Sequence, residues 1–258
     1  MTRDMKTSTT RNQNTCPLSL STCPLFACDL DNTLIHSHKK FRDGDICVEL
    51  YDGHEQSFIS PRALDLLKKV AAQIYFVPIT TRSIAQYRRI FWTADFRPNL
   101  AVVANGAYLL DGERCENFLR EVVDDKISAE LEALREKFSA DERFNICRIV
   151  DESFLFLRRS DDFDGEIFFD TDLIVGQTGK KIYLFPPKLN KGAALTKLAD
   201  KLSATKIFCA GDSEIDLPML ELADVAFSPK NLRGNFVTCS DAPDFAEEFL
   251  QNISEQLQ

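Results

Sequence analysis

Two aspartates stand two positions apart at the end of an apolar stretch. The stretch is LFAC at residues 25–28, and Asp29 and Asp31 follow it. In extended chain, alternate side chains point to the same side, so both carboxylates can face one point. Close carboxylates repel each other unless a cation lies between them, and a magnesium ion would relieve that repulsion. The alternative is a pair of surface aspartates in a turn that Asn32 helps to form.

A second pair of carboxylates follows another apolar stretch, IFCA. Gly211 permits a tight turn there, and Asp212 and Asp216 come after it. Magnesium prefers oxygen ligands and keeps several waters, so one or two carboxylates with a substrate phosphate suffice to bind it. The alternative is that Asp212 only caps a helix that begins near Glu214.

Hydroxyl and ammonium groups occur at two further places. The stretch FVPITTRS ends its apolar part at Thr80 and Thr81, where a hydroxyl and the nearby N–H groups could bind a phosphoryl oxygen. Alternatively, a threonine caps the helix that begins at Ser83. Lys191 lies in the first turn of the predicted helix NKGAALTKLADKL, where the helix dipole disfavours a cation. A bound anion would reverse that effect.

Short apolar stretches that alternate with helical patterns must position these groups, and this alternation predicts an α/β protein with a parallel sheet. SPRALDLLKKVAA has Ser60 as its N-cap and Pro61 at the first helical position. SIAQYRRIFW, NKGAALTKLADKL and the C-terminal DAPDFAEEFLQNISEQL are further predicted helices. The predicted strands are Leu25–Cys28, Ile74–Ile79, Leu100–Ala104, Lys206–Ala210 and Val225–Phe227.

Residues 106–188 break this alternation. DDKISAELEALREKF predicts an amphipathic helix, and FNICRIV, SFLFLRRS and KKIYLFPP predict strands. GEIFFDTDLIV is ambiguous between helix and strand. We therefore expect an α+β cap inserted into a core made of residues 23–105 and 189–258. Residues 1–22 are polar and are predicted to be a disordered leader.

Composition excludes several functions. A formal net charge of −9 argues against a nucleic-acid partner, although a small anionic substrate is compatible with locally focused positive charge. No apolar stretch is long enough to span a membrane, and no signal peptide is apparent, which indicates a cytoplasmic protein. The eight cysteines show no paired spacing and are expected to be reduced thiols. The sequence does not indicate an oligomeric state.

The motifs occur in the order DxDxT, T, K and GDxxxD, each at the predicted end of a strand or start of a helix. This order resembles the haloacid-dehalogenase-like superfamily of phosphohydrolases, and the resemblance extends from Leu25 to the C-terminus. It implies a doubly wound, mostly parallel, Rossmann-like sheet. The insertion that begins near ANGAYLLDG resembles the type IIB cap of the Cof-like and sucrose-phosphatase-like branch.

The resemblance implies a role for each motif residue. Asp29 would be the nucleophile that forms an aspartyl phosphate, and Asp31 the general acid and base. Thr80 and Lys191 would hold the phosphoryl oxygens. The family usually has glycine after the motif threonine, and here the residue is Thr81, so either threonine could contact phosphate.

The same resemblance implies a magnesium cofactor. Asp29, the backbone carbonyl of Asp31, and Asp212 would bind the ion. Asp216 would orient a metal-bound water or Lys191 from the second coordination sphere.

Three further segments could affect substrate choice. Asn105 and Gly106 lie where the predicted third strand enters the cap, a corner that the family often uses for substrate contacts, although Asn-Gly is also a plain turn signal. Ile215 replaces an asparagine common in the family. HSHKK, at residues 36–40, contains a HxH sequence, but without a third ligand it is interpreted as a flexible polar flap.

The function that follows is a magnesium-dependent phosphatase acting on a small phosphorylated metabolite, with a sugar or polyol phosphate favoured. Phosphomannomutases share the DxDxT start and a similar cap, so a phosphomutase is the first alternative. The second is a non-catalytic module that binds a phosphorylated ligand.

Overall fold

The computed structural model describes residues 23–258, and the predicted leader at residues 1–22 lies outside them. The strands are β1 (Leu25–Cys28), β2 (His36–Ser37), β3 (Ile46–Tyr51), β4 (His54–Ile59), β5 (Tyr75–Pro78), β6 (Leu100–Val103), β7 (Tyr108–Asp111), β8 (Arg114–Asn117), β9 (Phe144–Val150), β10 (Phe154–Arg159), β11 (Ile174–Thr178), β12 (Lys181–Phe185), β13 (Ile207–Ala210), β14 (Val225–Pro229) and β15 (Val237–Cys239). The α-helices are α1 (Pro61–Ala71), α2 (Ile84–Arg88), α3 (Asp125–Ser139), α4 (Lys191–Leu202), α5 (Leu217–Leu220) and α6 (Asp244–Gln256).

The central sheet is parallel and has the order β15-β14-β13-β1-β5. Just after β5, the N–H of Thr80 donates to the carbonyl of Val102, which places β6 beside β5 at the edge of the sheet. Helices cover both faces: Phe26 of β1 packs with α1 and α6, whereas Ala27 packs with α4. The predicted α/β fold with a doubly wound sheet is therefore confirmed.

Capping side chains start the helices where the sequence predicts. The Ser60 hydroxyl accepts a hydrogen bond from the Ala63 N–H at 3.1 Å, with Pro61 in the first turn. Asn190 accepts from the Ala193 N–H at 2.9 Å and so begins α4 at Lys191. The helix predicted from SIAQYRRIFW is much shorter than expected, because α2 ends at Arg88 and the chain then turns.

The inserted segment forms an antiparallel sheet of order β11-β12-β10-β9, and α3 covers one of its faces. Buried Leu131, Leu134 and Phe138 make that contact. The ambiguous stretch GEIFFDTDLIV contains no helix and becomes a strand only at Ile174. The opposite face of this sheet is turned towards the core. We call residues 125–185 the cap; they lie within the predicted limits of 106–188, which themselves stay a prediction.

Two hairpins were not predicted. The β3–β4 hairpin lies beside β2, and the β7–β8 hairpin extends β6 in antiparallel fashion. The interpretation of residues 36–40 as a flexible flap is wrong for His36, which is 4 % exposed and lies 2.7 Å from the Asp45 carboxylate.

Two of the compositional expectations can be compared with the structure. None of the helices found between residues 23 and 258 is both long and apolar enough to cross a bilayer. The thiols of Cys28, Cys209 and Cys239 are buried and unpaired, in line with the expectation of reduced cysteines.

Gly192 allows α4 to approach α5 closely. A Cβ atom at this position would lie 2.7 Å from the carbonyl carbon of Pro218, closer than side-chain atoms pack against backbone. Because Gly192 follows Lys191 directly, this approach also fixes the position of the Lys191 side chain.

We predict that Gly192→Ala destabilises the protein by about 1–3 kcal/mol, because α4 or α5 must move. Helix propensity alone would give the opposite sign, since alanine favours helix over glycine by about 1 kcal/mol. The control is Gly179→Ala, at a positive φ with no atom within 4 Å of the added carbon, which should cost about 1–2 kcal/mol from backbone strain alone. Urea unfolding of both variants measures the difference, and a stabilised Gly192→Ala variant would contradict the packing argument.

Candidate functional site

A cleft of about 200 Å³ opens between the cap and the carboxyl edge of the central sheet. Residues from the ends of β1 and β13, from the start of α4 and from the cap line it. Because parallel strands present their carboxyl ends at one edge, residues distant in sequence meet there. The predicted residues Asp29, Asp31, Thr81, Lys191 and Asp212 all line this cleft.

Asp29 lies directly after β1, where its N–H donates to the Ala210 carbonyl at 2.9 Å. Its side chain is buried, and one carboxylate oxygen accepts a 2.5 Å hydrogen bond from the Lys191 ammonium. Burial and the nearby charges of Asp216 and Asp31 raise the pKa of Asp29 to about 7, although Lys191 acts in the opposite direction. Asp29 therefore needs a further cation to be fully ionised at neutral pH.

Lys191 is 1 % exposed and is held by two carboxylates, Asp29 and Asp216, each at 2.5 Å. Burial acts to lower the pKa of Lys191, but the two carboxylates outweigh burial and raise it. The other oxygen of Asp216 accepts hydrogen bonds from the backbone N–H groups of Asp212 and Ser213. Asp216 thus joins Lys191 to the loop after β13.

Asp212 completes a cluster of carboxylates. Oxygen atoms of Asp29, Asp212 and Asp216 lie within 4.8 Å of one another, and the Thr33 hydroxyl is 3.3 Å from both Asp29 and Asp212. Burial, together with Asp29 and Asp216, raises the pKa of Asp212 to about 8. Such a set of close, incompletely neutralised oxygens fits a hard divalent cation.

Within that cluster, Asp29 and Asp212 are the residues best placed to hold magnesium, since Asp216 is already occupied by Lys191 and backbone N–H groups. The carbonyl of Asp31 stays a predicted third ligand. When bound, the ion would neutralise the carboxylates and polarise a phosphoryl oxygen.

The Asp31 side chain belongs to a separate network. Arg82 donates to both oxygens of Asp31, at 2.8 and 2.9 Å, and also to Glu49 at 2.8 Å. Glu49 is 1 % exposed and also pairs with Arg89 at 3.0 Å. Burial acts to raise the pKa of Asp31, but Arg82 outweighs it and lowers the pKa to about 2. Sequence reasoning missed Arg82 and Glu49, and the only signal for Arg82 was its place in TTRS.

The two candidate threonines have different surroundings. Thr80 is fully buried, and its hydroxyl accepts a hydrogen bond from the Arg82 N–H at 3.2 Å. Thr81 lines the cleft, and Tyr183 of the cap lines it as well. Between the two, Thr81 is therefore the side chain that faces the cleft.

The predicted cap corner lies away from the cleft. Asn105 is buried and donates to the Leu189 carbonyl at 3.0 Å, and Gly106 packs against α4 with a φ of 113°. Neither residue lines the cleft, because they form the turn that joins β6 to β7. Ile215 does line it, and it also lies close to Gly176 of β11 in the cap.

Comparisons with known proteins find a matching family model and similar folds. A family model described as haloacid dehalogenase-like hydrolase matches residues 158–233. No match is found among curated protein sequences. The match to the family model bears out the resemblance to haloacid-dehalogenase-like hydrolases predicted from the motifs, and the solved structures that follow share the fold.

Three solved structures illustrate the shared fold. A Thermoplasma acidophilum protein has a TM-score of 0.62 and 16% identity, with 92% of this chain and 100% of that chain covered. The sucrose-phosphatase of Synechocystis, solved with sucrose and phosphate, has a TM-score of 0.57 and 16% identity, with 91% and 98% covered. The C-terminal domain of Candida albicans trehalose-6-phosphate phosphatase has a TM-score of 0.60 and 14% identity, with 93% and 94% covered. At these identities the likeness establishes the fold.

We predict that the metal-free protein loses stability as pH rises from about 4 to about 8, between the unfolded and folded pKa values of two carboxyls. The pKa values of Asp29 and Asp212 lie near 7 and 8 in the fold, above their ordinary 3.8. The stability that protonation contributes is therefore complete below about 3.8 and is lost as pH rises through the folded values. Magnesium should restore it, by about 2.7 kcal/mol at a concentration of 100 times its Kd.

Asp212→Asn tests the same cluster. It should raise the Tm of the metal-free protein at pH 8.5 by about 2–4 °C, because one of three close carboxylate charges is removed, and it should abolish the magnesium response. Asp65→Asn, at an exposed position on α1, is the control and should change neither property. A variant that retains the full magnesium response would show that the ion binds elsewhere.

Proposed function

From the haloacid-dehalogenase-like fold, we propose that the protein is a magnesium-dependent phosphatase acting on a small phosphorylated metabolite. A sugar or polyol phosphate is the favoured class. One observation carries the proposal: a buried carboxylate, Asp29, lies at the carboxyl edge of the sheet beside a buried ammonium and a second carboxylate, Asp212. The solved relatives named as sucrose- and trehalose-phosphate phosphatases support it. The cytoplasmic location stays a prediction.

In the first displacement, an oxygen of Asp29 attacks phosphorus, and the bond from phosphorus to the substrate oxygen breaks. Asp31 gives its proton to that leaving oxygen, so an alcohol departs and an aspartyl phosphate remains. Lys191 stabilises the negative charge of the phosphoryl oxygens, because its ammonium already lies 2.5 Å from Asp29. The Thr81 hydroxyl, on the cleft wall, can donate to a phosphoryl oxygen.

In the second displacement, water attacks phosphorus and the bond to the Asp29 oxygen breaks. Asp31 removes the proton of that water, which regenerates the free carboxylate of Asp29 and releases inorganic phosphate. Asp31 is thus the acid of the first step and the base of the second, as microscopic reversibility requires.

Arg82 sets the protonation state of Asp31. Its two hydrogen bonds hold Asp31 as a carboxylate, the form that the second displacement needs. Proton donation in the first displacement requires that Asp31 exchange Arg82 for the substrate oxygen. When Asp31 turns from Arg82 to the substrate oxygen, Arg82 keeps its ion pair with Glu49. The buried charge of Arg82 therefore stays paired.

We predict that Asp29→Asn abolishes phosphate release, because an amide cannot serve as the nucleophile. Asp31→Asn should lower kcat by about 10²–10⁴-fold, since proton transfer is lost while the nucleophile remains. Asp65→Asn, far from the cleft on α1, should retain full activity. Phosphate release from phosphorylated sugars, polyols, nucleotides and cofactors, with magnesium or with chelator, measures all three variants.

The outcomes separate the candidate activities. Magnesium-dependent release by the wild type that disappears in Asp29→Asn supports the proposal. Unchanged release in Asp29→Asn would contradict it. Turnover that depends on added glucose 1,6-bisphosphate without net phosphate release would identify phosphoryl transfer between sugar positions instead.

A further inference from the structure

The cap sheet presents one face to the cleft, and two cations stand on it. On neighbouring strands, Arg148 of β9 pairs with Phe156 of β10, and Phe156 pairs with Tyr183 of β12. Lys181 lies two positions before Tyr183, so its side chain is on the same face. All four residues line the cleft opposite the carboxyl edge of the central sheet.

The other cations of the cleft already have carboxylate partners. Lys191 is bound by Asp29 and Asp216, Arg82 by Asp31 and Glu49, and Arg89 by Glu49. Arg148 and Lys181, in contrast, have no ion pair or hydrogen bond from their side chains to any residue in 23–258. Two unpaired cations on one wall of a cleft raise the local concentration of anions there.

The position of the Arg148 side chain is constrained. Its guanidinium lies over the Phe156 ring at 5.5 Å, which directs it across β10 towards β12. From the strand spacing and register, the Cα atoms of Arg148 and Lys181 are about 12 Å apart, which two long side chains can bridge to reach one anion. Lys181 is near enough to Asp31 to contribute, after burial and Arg82, to the pKa of that carboxyl.

The cap is also docked firmly enough to place these cations. Asp151, in the turn between β9 and β10, accepts a 2.7 Å hydrogen bond from the Ile84 N–H at the start of α2. In β11, Gly176 lies close to Ile215 of the core. The cap sheet is thus held against the core at the β9–β10 turn and at β11.

An anion bound between Arg148 and Lys181 would be a different group from the transferred phosphoryl group. That phosphoryl group must lie against Asp29, within reach of Lys191, on the core side of the cleft. The cap cations face this position from the opposite wall. A sugar or polyol hydroxyl would leave both charges unmatched, whereas an anion would form charge-assisted hydrogen bonds with them.

We propose that the substrate carries a second anionic group, a carboxylate or a second phosphate, which Arg148 and Lys181 bind. This inference rests on the proposed phosphatase function and narrows its substrate to phosphorylated sugar acids, phosphorylated short hydroxy acids or bisphosphates.

Pairs of compounds that differ only in the second group test the proposal. 3-Phosphoglycerate and glycerol 3-phosphate differ by a carboxylate in place of CH₂OH, and so do 6-phosphogluconate and sorbitol 6-phosphate. Fructose 1,6-bisphosphate and fructose 6-phosphate test a second phosphate. In at least one pair, the compound with the second anion should have a kcat/KM about 10- to 100-fold higher.

Substitutions of Arg148 and Lys181 test whether these two cations cause that preference. Arg148→Gln and Lys181→Met should each reduce the preference about 10-fold or more, because kcat/KM for the compound with the second anion falls further than kcat/KM for its partner compound. The controls are Arg143→Gln and Lys180→Met, whose side chains pair with Asp141 and Asp161 outside the cleft lining. Both controls should keep the wild-type preference.

Failure of this inference is distinguishable from failure of the phosphatase proposal. Phosphate release without preference in any pair, or a preference unchanged in both cap variants, overturns the second-anion site alone. If no compound is hydrolysed, the phosphatase proposal fails. Calorimetry with the same pairs and magnesium then tests whether Arg148 and Lys181 bind a second anion. Tighter binding of the compound with the second anion, lost in Arg148→Gln, would still support the site, and equal or absent binding would overturn it.

Discussion

The structure depends on one buried ion-pair triad, in which Lys191 lies between Asp29 and Asp216. Removing a charge from water is costly, and a buried ion pair is tolerable only where geometry and further hydrogen bonds compensate. The fold supplies both: β1 ends at Asp29, Asn190 starts α4 so that Lys191 is its first residue, and backbone N–H groups fix Asp216.

The protonation states of Asp29 and Asp31 are the reverse of those that the proposed reaction requires. Asp29, the proposed nucleophile, has a pKa near 7, whereas Asp31, the proposed proton donor, has a pKa near 2. A divalent cation beside Asp29 and Asp212 would ionise the nucleophile, and a substrate that displaces Arg82 from Asp31 would raise the pKa of the acid. In the proposed reaction, binding of metal and substrate would therefore shift both carboxyls towards their reactive protonation states.

Much of the edge of the sheet was predictable from sequence. Parallel strands end together, so residues after β1 and β13 and at the start of α4 had to meet, whatever the details of packing. The choice between Thr80 and Thr81 was not predictable, because in extended chain a shift of one residue turns a side chain to the opposite face. Only the structure shows Thr80 buried and Thr81 on the cleft.

The network around Glu49 was also beyond sequence reasoning. A glutamate within a strand of mixed polarity, ICVELY, is expected to face solvent, yet Glu49 is buried. Its burial depends on Arg82 and Arg89, which are distant in sequence, so it follows from tertiary structure alone. The same holds for Arg148 and Lys181, whose shared face depends on the order of the cap strands.

A crystal structure with magnesium and beryllofluoride, an analogue of a phosphoryl group on aspartate, tests the central claim most directly. We predict beryllofluoride on a carboxylate oxygen of Asp29, magnesium between Asp29 and Asp212, and the Lys191 ammonium in contact with a fluoride. Beryllofluoride bound to another residue, with Lys191 still hydrogen-bonded to both Asp29 and Asp216, would contradict the proposed role of Asp29 as the nucleophile.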